Sequence, residues 1–197
     1  ADAEALGAAN TIVIERDADD ADDAKLVGHN TDVEGFLGSL REGGFDPARG
    51  GRAVVVGAGG AARAVVYGLV KGGLGDVTVL NRTPARAQAL VRDLEHALEE
   101  EQELRAAALS EESLINHARA ADLLVNATTL GMWPAVEGSI WPERVPVPAH
   151  LAVYDLVYNP LETRLLRRAQ AAGALGIDGL GMLARQGALR QRPAPPP

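Results

Sequence analysis

Cysteine is absent from the 197 residues, which removes disulfides, thiolate nucleophiles and cysteine-bound zinc together. Lysine is nearly absent: Lys25 and Lys71 stand among 19 basic residues, so arginine carries almost all of the positive charge. Four histidines, His29, His96, His117 and His150, are scattered without metal-ligand spacing, and no metal site is expected. No apolar run approaches the roughly 20 residues of a membrane span, and the acidic N-terminus does not read as a secretion signal; the expected compartment is the cytosol. The net charge of -8 repels nucleic acid and anionic membrane surfaces, and leaves small anions to be bound by local arginine clusters and helix N-termini. Aromatic residues make up only 4%; Trp133 and Trp141 flank a proline-containing loop and read as packing residues, His29 reads as a surface residue of a hairpin, and Tyr67 is assigned no role.

What is present is apolar substance in an alternating grammar. Hydrophobic residues amount to 47%, enough for a substantial core. Residues 8–14 read as a strand rich in β-branched side chains, the acidic stretch 16–25 as an exposed turn, and residues 26–29 as the partner strand of a hairpin too small to fold alone. A helical pattern covers 33–42, with Thr31 or Asp32 placed to cap it and Gly43-Gly44 to end it. From Arg52 onward strands alternate with helices. Continuous apolar runs at 53–56 and 77–80, "DLLVNAT" at 122–128 and "LAVYDLVY" at 151–158 suit buried parallel strands. Helical patterns follow at 62–69, at 84–104, after Ser110 and at 161–172. The spacing predicts an α/β fold, a doubly wound Rossmann-like nucleotide-binding domain, joined to a remnant of an N-terminal α/β substrate domain. The tail "RPAPPP" reads as disordered.

The run "VVVGAGGAARAV" fits G-x-G-x-x-A with Gly57, Gly59 and Ala62, directly after a strand and opening a helix. The first glycine permits a tight turn, the second admits a pyrophosphate against the backbone, and the small third residue lets helix and strand pack closely. The helix N-terminus adds free N–H groups and a positive dipole end. The next strand ends in "NRTPAR" where an NAD-preferring site would place an acidic residue. Arg82 and Arg86 can pair with a ribose 2′-phosphate and Asn81 and Thr83 can donate to it, so the expected cofactor is NADP. Thr83 is equally placed to cap the helix starting at Pro84, and the two roles are compatible.

Seven stretches stand in one order: "GAANT", "GHNTDVEG", "GAGGAARA", "NRTPARA", "VNATTLGM", "VYDLVYNP" and "DGLGMLARQGA". Together, over residues 5–189, they resemble the shikimate/quinate dehydrogenase family, whose shikimate dehydrogenases reversibly reduce 3-dehydroshikimate with NADPH in chorismate and aromatic amino acid biosynthesis. The resemblance implies a substrate cleft between an N-terminal α/β domain and the nucleotide domain. Residues 1–43 would be the end of the substrate domain with a linking helix, 44–178 the NADP-binding domain, and 179–197 a helix returning toward the substrate domain followed by the proline-rich tail. Asn10 and Asp32 would bind ring hydroxyls, and Tyr158 and Gln186 would contact the substrate from the other side. Gly57, Ala58, Gly59, Gly60 and Ala61 would hold the pyrophosphate, and Asn81, Arg82, Thr83 and Arg86 the 2′-phosphate. Leu156 and Gly179 would lie against the nicotinamide, and Asn126 and Thr128 would wall the same groove.

A ketone reduced by hydride leaves an alkoxide that needs a proton. In the family a lysine and an aspartate form the acid–base unit, and the aspartate matches Asp32, which on local sequence alone is also a plain helix cap. The lysine's motif, and a serine pair for the substrate carboxylate, would precede Ala1; neither Lys25 nor Lys71 matches. The resemblance therefore implies an N-terminally truncated dehydrogenase, monomeric or dimeric, acting on a small molecule. The alternatives are a quinate/shikimate dehydrogenase with relaxed cofactor choice, a non-catalytic NADP-binding module, and an interaction domain of a larger polypeptide.

Overall fold

The computed structural model describes residues 2–16 and 24–190. A short helix α1 (Asp2–Leu6) leads into an antiparallel hairpin, β1 (Thr11–Arg16) and β2 (Ala24–His29), paired from Thr11↔His29 to Arg16↔Ala24. Helix α2 (Asp32–Glu42) carries the chain to β3 (Arg52–Val56). Then follow α3 (Gly60–Lys71), β4 (Asp76–Asn81), α4 (Pro84–Leu94), β5 (Glu103–Ala108), α5 (Glu111–Arg119), β6 (Leu123–Asn126), β7 (Ala152–Asp155), α6 (Arg164–Ala171), β8 (Gly176–Ile177) and α7 (Leu180–Arg190). The six later strands form one parallel sheet in the order β5-β4-β3-β6-β7-β8. The direction of winding reverses between β3 and β6, which opens a crevice at the carboxyl ends of those strands.

The two-residue period of the strands splits the core into two layers. Ala53 and Val55 of β3, Val79 of β4, Val125 of β6 and Tyr154 of β7 face α2, α3, α4 and α7, meeting Phe36, Leu40, Leu69, Leu90 and Met182. Val54, Val56, Leu80, Leu124 and Val153 face the other way, onto Leu114 and Ala118 of α5 and Leu165 and Ala169 of α6. Each Val or Leu removed from water here contributes about 1.5–3 kcal/mol of transfer free energy. That demand on both faces is why the strand runs are continuously apolar.

Helix α2 ties the hairpin to the sheet. It packs on α3 and on α7, where Met182 and Gln186 lie against Gly35 and Gly181 abuts Ser39. The Tyr154 hydroxyl donates to Ser39 Oγ (2.9 Å), and the Phe36 and Tyr154 rings meet edge-on at 5.1 Å. Burial pushes the Tyr154 phenol up to about 12, with the Ser39 hydrogen bond acting the other way.

Several expectations are corrected. The single helix expected over 84–104 stops at Leu94, and residues 103–108 form the edge strand β5. "ELRAAA" has no β-branched side chain and reads as helix; pairing with β4 overrides the local preference. Gln102 fixes the turn into that strand by donating to the carbonyls of Val70 (2.8 Å), in the last turn of α3, and Leu74 (3.0 Å), between α3 and β4. The run 151–158 is strand only through Asp155, and the helix expected from 161 begins at Arg164, where the Thr163 hydroxyl accepts from Leu166 N–H. Helix α1 and strand β8 had no sequence signal. Trp141 is buried at 2% exposure, as a packing residue should be, but Trp133 is 67% exposed: its main chain donates to Asn159 O while the ring stays outside the core. His29 is exposed at the end of β2. Most of the acidic turn and the tail "RPAPPP" lie outside the described residues.

Candidate functional site

The turn after β3 is shaped by contact rather than by charge. Gly57 adopts φ +120°, and a Cβ there would stand 2.8 Å from the Ala127 carbonyl oxygen on the neighbouring β6 loop. The glycine lets the β3 and β6 tips close on each other, with Gly57 N–H donating to Leu80 O at 2.8 Å. At Gly59 and Gly60 the same added atom would meet nothing within 4 Å. Ala58 is half-buried and Ala61 exposed beside that open space. Helix α3 starts there without a side-chain cap and without an acidic residue in its first turn. By helix geometry its first N–H groups have no carbonyl partner, which suits an anion. Arg63 does not compete for that anion: its guanidinium pairs with Asp93 on α4 and donates to Leu6 O at 3.4 Å.

At the tip of β4, the Asn81 amide donates to Thr83 O (3.0 Å), bracing the loop. Thr83 is the N-cap residue of α4 but makes no side-chain cap bond, so its hydroxyl is not consumed by capping. Arg82 and Arg86 are exposed and form no ion pair or side-chain hydrogen bond among the described residues. Two uncompensated guanidinium groups next to an uncapped helix N-terminus concentrate positive potential on one side of the crevice.

The other side is built of satisfied polar groups. Asn126, 1% exposed, accepts from Thr128 N–H (3.1 Å) and Thr128 Oγ1–H (2.7 Å), and its amide donates to Leu130 O (3.2 Å) and Asp155 Oδ1 (2.9 Å). Leu156 N–H donates to Asn126 O at 3.0 Å. Gly179 lies so close to Leu156 that a Cβ would collide with the Leu156 carbonyl oxygen, and Gly179 N–H reaches Val157 O at 3.3 Å. Asn126, Thr128, Leu156 and Gly179 thus form one continuous wall. The Asn126 side chain is bonded to both Thr128 and Asp155.

On the hairpin side, the Asn10 carboxamide oxygen accepts from Thr31 N–H (3.1 Å), Thr31 Oγ1–H (3.3 Å) and Thr11 Oγ1–H (3.1 Å). Its Nδ2 is buried and has no hydrogen-bond partner among the described residues, a donor held in place with nothing to donate to. Asp32, the first residue of α2, has its N–H taken by Asn30 Oδ1 (3.0 Å). Thr31 is the N-cap residue and its side chain makes no cap bond. One turn later on α2, Gly35 receives the main chain of Gln186. Asn10, Asp32 and Gln186 are therefore gathered around the start of α2. Tyr158 is 47% exposed on the β7 loop, beside the Leu156–Gly179 contact.

Residues 40–132 match the family model described as shikimate / quinate 5-dehydrogenase. By this match residues 40–132 are similar to the shikimate/quinate 5-dehydrogenase family. A shikimate dehydrogenase (NADP(+)) from Moorella thermoacetica is 48% identical over 93% of the chain and 58% of its own length. Among solved structures, shikimate 5-dehydrogenase from Listeria monocytogenes in complex with shikimate and NAD superposes with a TM-score of 0.82 at 32% identity, over 95% of this chain and 63% of that one. Quinate dehydrogenase from Corynebacterium glutamicum in complex with NAD gives 0.80 at 34% identity, over 96% and 63%. The chain thus spans about three fifths of the length of the shikimate/quinate dehydrogenase relatives it matches.

Two features of the structure were not read from the sequence. Asp155 and Thr163 hold the wall together, and the only sequence signal was an aspartate inside an apolar strand run. A cavity of about 240 Å³, whose lining includes Arg52, Asp76, Arg105 and His117, lies where the strands begin, away from the glycine turn, the β4 tip and the wall opposite.

Proposed function

We propose that the chain is the nucleotide-binding part of an NADP-dependent shikimate dehydrogenase, reversibly reducing 3-dehydroshikimate to shikimate. The observation that carries this reading is the pair Arg82 and Arg86, exposed and uncompensated at the β4 tip, beside the open, uncapped start of α3. An acidic residue there would repel a 2′-phosphate; two arginines attract it. The residues present fit the cofactor. Gly57 to Ala61 and the α3 N–H groups would hold the pyrophosphate, Asn81 to Arg86 the 2′-phosphate, and the Leu156–Gly179 wall with Thr128 the nicotinamide. Bound NADPH would supply the hydride.

For the substrate, the Asn10 Nδ2–H is an oriented donor for a ring hydroxyl, and Tyr158 and Gln186 would contact the ring from the far side. Asp32 would accept from a second hydroxyl and hold the proton donor that quenches the alkoxide, its carboxylate favouring the charged form of that donor. Residues 1–43 then serve the substrate side, 44–178 the nucleotide, and α7 closes back onto α2.

Calorimetric titration tests the reading: NADPH binds with a dissociation constant at least about tenfold lower than that of NADH, the worth of one charge-assisted contact. Equal affinity for the two, or no binding of either, overturns it. The similarity to an NAD-bound quinate dehydrogenase favours one second reading, a quinate/shikimate dehydrogenase with relaxed cofactor choice. Equal affinities would favour that reading.

A further inference from the structure

Asp155 is the least explained residue near the crevice. It is fully buried at 0% exposure, and among the described residues it has no ion-pair partner. A buried, unpaired carboxylate is costly, and burial pushes this one above the ordinary carboxylate range while its hydrogen bonds act the other way. Folds that need only packing fill such a place with an apolar side chain.

Its contacts show what the carboxylate does instead. Oδ1 accepts from Val157 N–H (3.1 Å) and Asn126 Nδ2–H (2.9 Å), and Oδ2 accepts from Thr163 Oγ1–H (2.7 Å). These three donors belong to the β7 loop, the end of β6 and the start of α6. Through Asn126 the hold extends to Thr128 and the Leu130 carbonyl; through Val157 it extends to Leu156 and Gly179. Every segment of the wall assigned to the nicotinamide is tied, directly or by one further hydrogen bond, to this side chain. Three converging donors call for an acceptor-only group; a carboxamide would turn an NH2 toward at least one of them.

We propose that Asp155 is the positioning residue for the nicotinamide half of the groove, setting the Leu156–Tyr158 and Thr128–Leu130 segments at the separation a flat ring needs, without touching the cofactor itself. This rests on the NADP reading above. Its scope is local. The strand order β4-β3-β6-β7 puts the arginine-bearing tip three strand spacings from Asp155, about 14 Å, so the adenosine side is held independently.

The test compares two ligands on the same chain: NADPH, and adenosine 2′,5′-bisphosphate, which has the 2′-phosphate and no nicotinamide. Asp155→Asn weakens NADPH about tenfold, the worth of a misplaced set of hydrogen bonds, and leaves the bisphosphate within about twofold. Thr163→Val shifts NADPH the same way by about threefold, and Thr163→Ser, which keeps the hydroxyl, restores wild-type affinity. The Thr163 pair decides the matter should Asp155→Asn fail to fold. Unchanged NADPH affinity in Asp155→Asn and Thr163→Val, or proportional losses for both ligands, overturns the proposal and leaves Asp155 a structural residue. Failure of the wild-type chain to bind the bisphosphate defeats the NADP reading instead.

Discussion

The two edges of the parallel sheet treat arginine in opposite ways. At the edge where strands begin, Arg52 and Arg105 share Asp76, at 3.2 and 3.6 Å, and Arg105 also pairs with Glu103. At the edge where strands end, Arg82 and Arg86 have no such partner among the described residues. The first edge has a cavity of about 240 Å³ and the second an open crevice, so concavity alone does not distinguish them. What separates them is charge left unmatched. A protein with a net charge of -8 has carboxylates to spare, and leaving two guanidinium groups without one preserves their potential for an anionic ligand.

The contrast breaks most violently if the ending edge loses its shape. Gly179→Ala drives a methyl into the main-chain carbonyl oxygen of Leu156, where no side-chain rotation relieves it. The expected cost is more than about 3 kcal/mol of unfolding free energy, above the usual range for overpacking, with NADPH binding lost in whatever folds. Denaturant melts of the variant check it; wild-type stability would mean the seam between α7 and the β7 loop is not tight.

A second test extends the distinction between matched and unmatched groups to titration. The Tyr154 phenol, matched to Ser39, is raised from 10.0 to about 12 in the folded chain. Its proton is held more tightly folded than unfolded, so its contribution is fully present below pH 10 and is lost as pH rises from 10 through 12. The loss amounts to about 3 kcal/mol, two pH units of linkage. Tyr154→Phe removes that component of the alkaline slope while lowering neutral-pH stability by about 1 kcal/mol for the missing hydrogen bond. Parallel stability curves for the two proteins between pH 9 and 12, measured by urea melts, would refute the assignment.

The ending edge was the more legible of the two in sequence, for a physical reason. The reading of the glycine turn and "NRTPAR" rests on local backbone and charge, which a short string records completely. The wall opposite depends on contacts between positions far apart in the chain: Asp155 with Asn126, and Gly179 with Leu156. Nothing in "YDLVY" alone says that its aspartate holds three segments. Strand β5 escaped for the same reason, since alanine-rich "ELRAAA" is made a strand by its neighbour β4. The candidate site was legible as a set of motifs, and its distribution of labour between contact and support was not.

The charge comparison itself is tested by removing arginines one edge at a time. Arg82→Ala and Arg86→Ala each weaken NADPH by about 2 kcal/mol, roughly thirtyfold, and leave NADH nearly unchanged, because the lost contact is to the 2′-phosphate alone. Raising salt shrinks the wild-type preference for NADPH and has less to shrink in the variants. An equal effect on both nucleotides in calorimetry would place the two side chains elsewhere on the ligand.

At the beginning edge the effect is the smallest. Arg52→Ala removes a pair whose side chain is 61% exposed, so solvent already screens most of the attraction and the expected loss is below about 1 kcal/mol. Asp76 does not become an orphan, since Arg105 remains at 3.6 Å. NADPH affinity stays at the wild-type value, because Arg52 stands at the start of β3 and the glycine turn at its end, five residues of extended chain or about 16 Å away. A weakened NADPH titration in this variant would mean that the sheet's two edges are coupled, and that unmatched charge at the strand ends is not what selects the ligand.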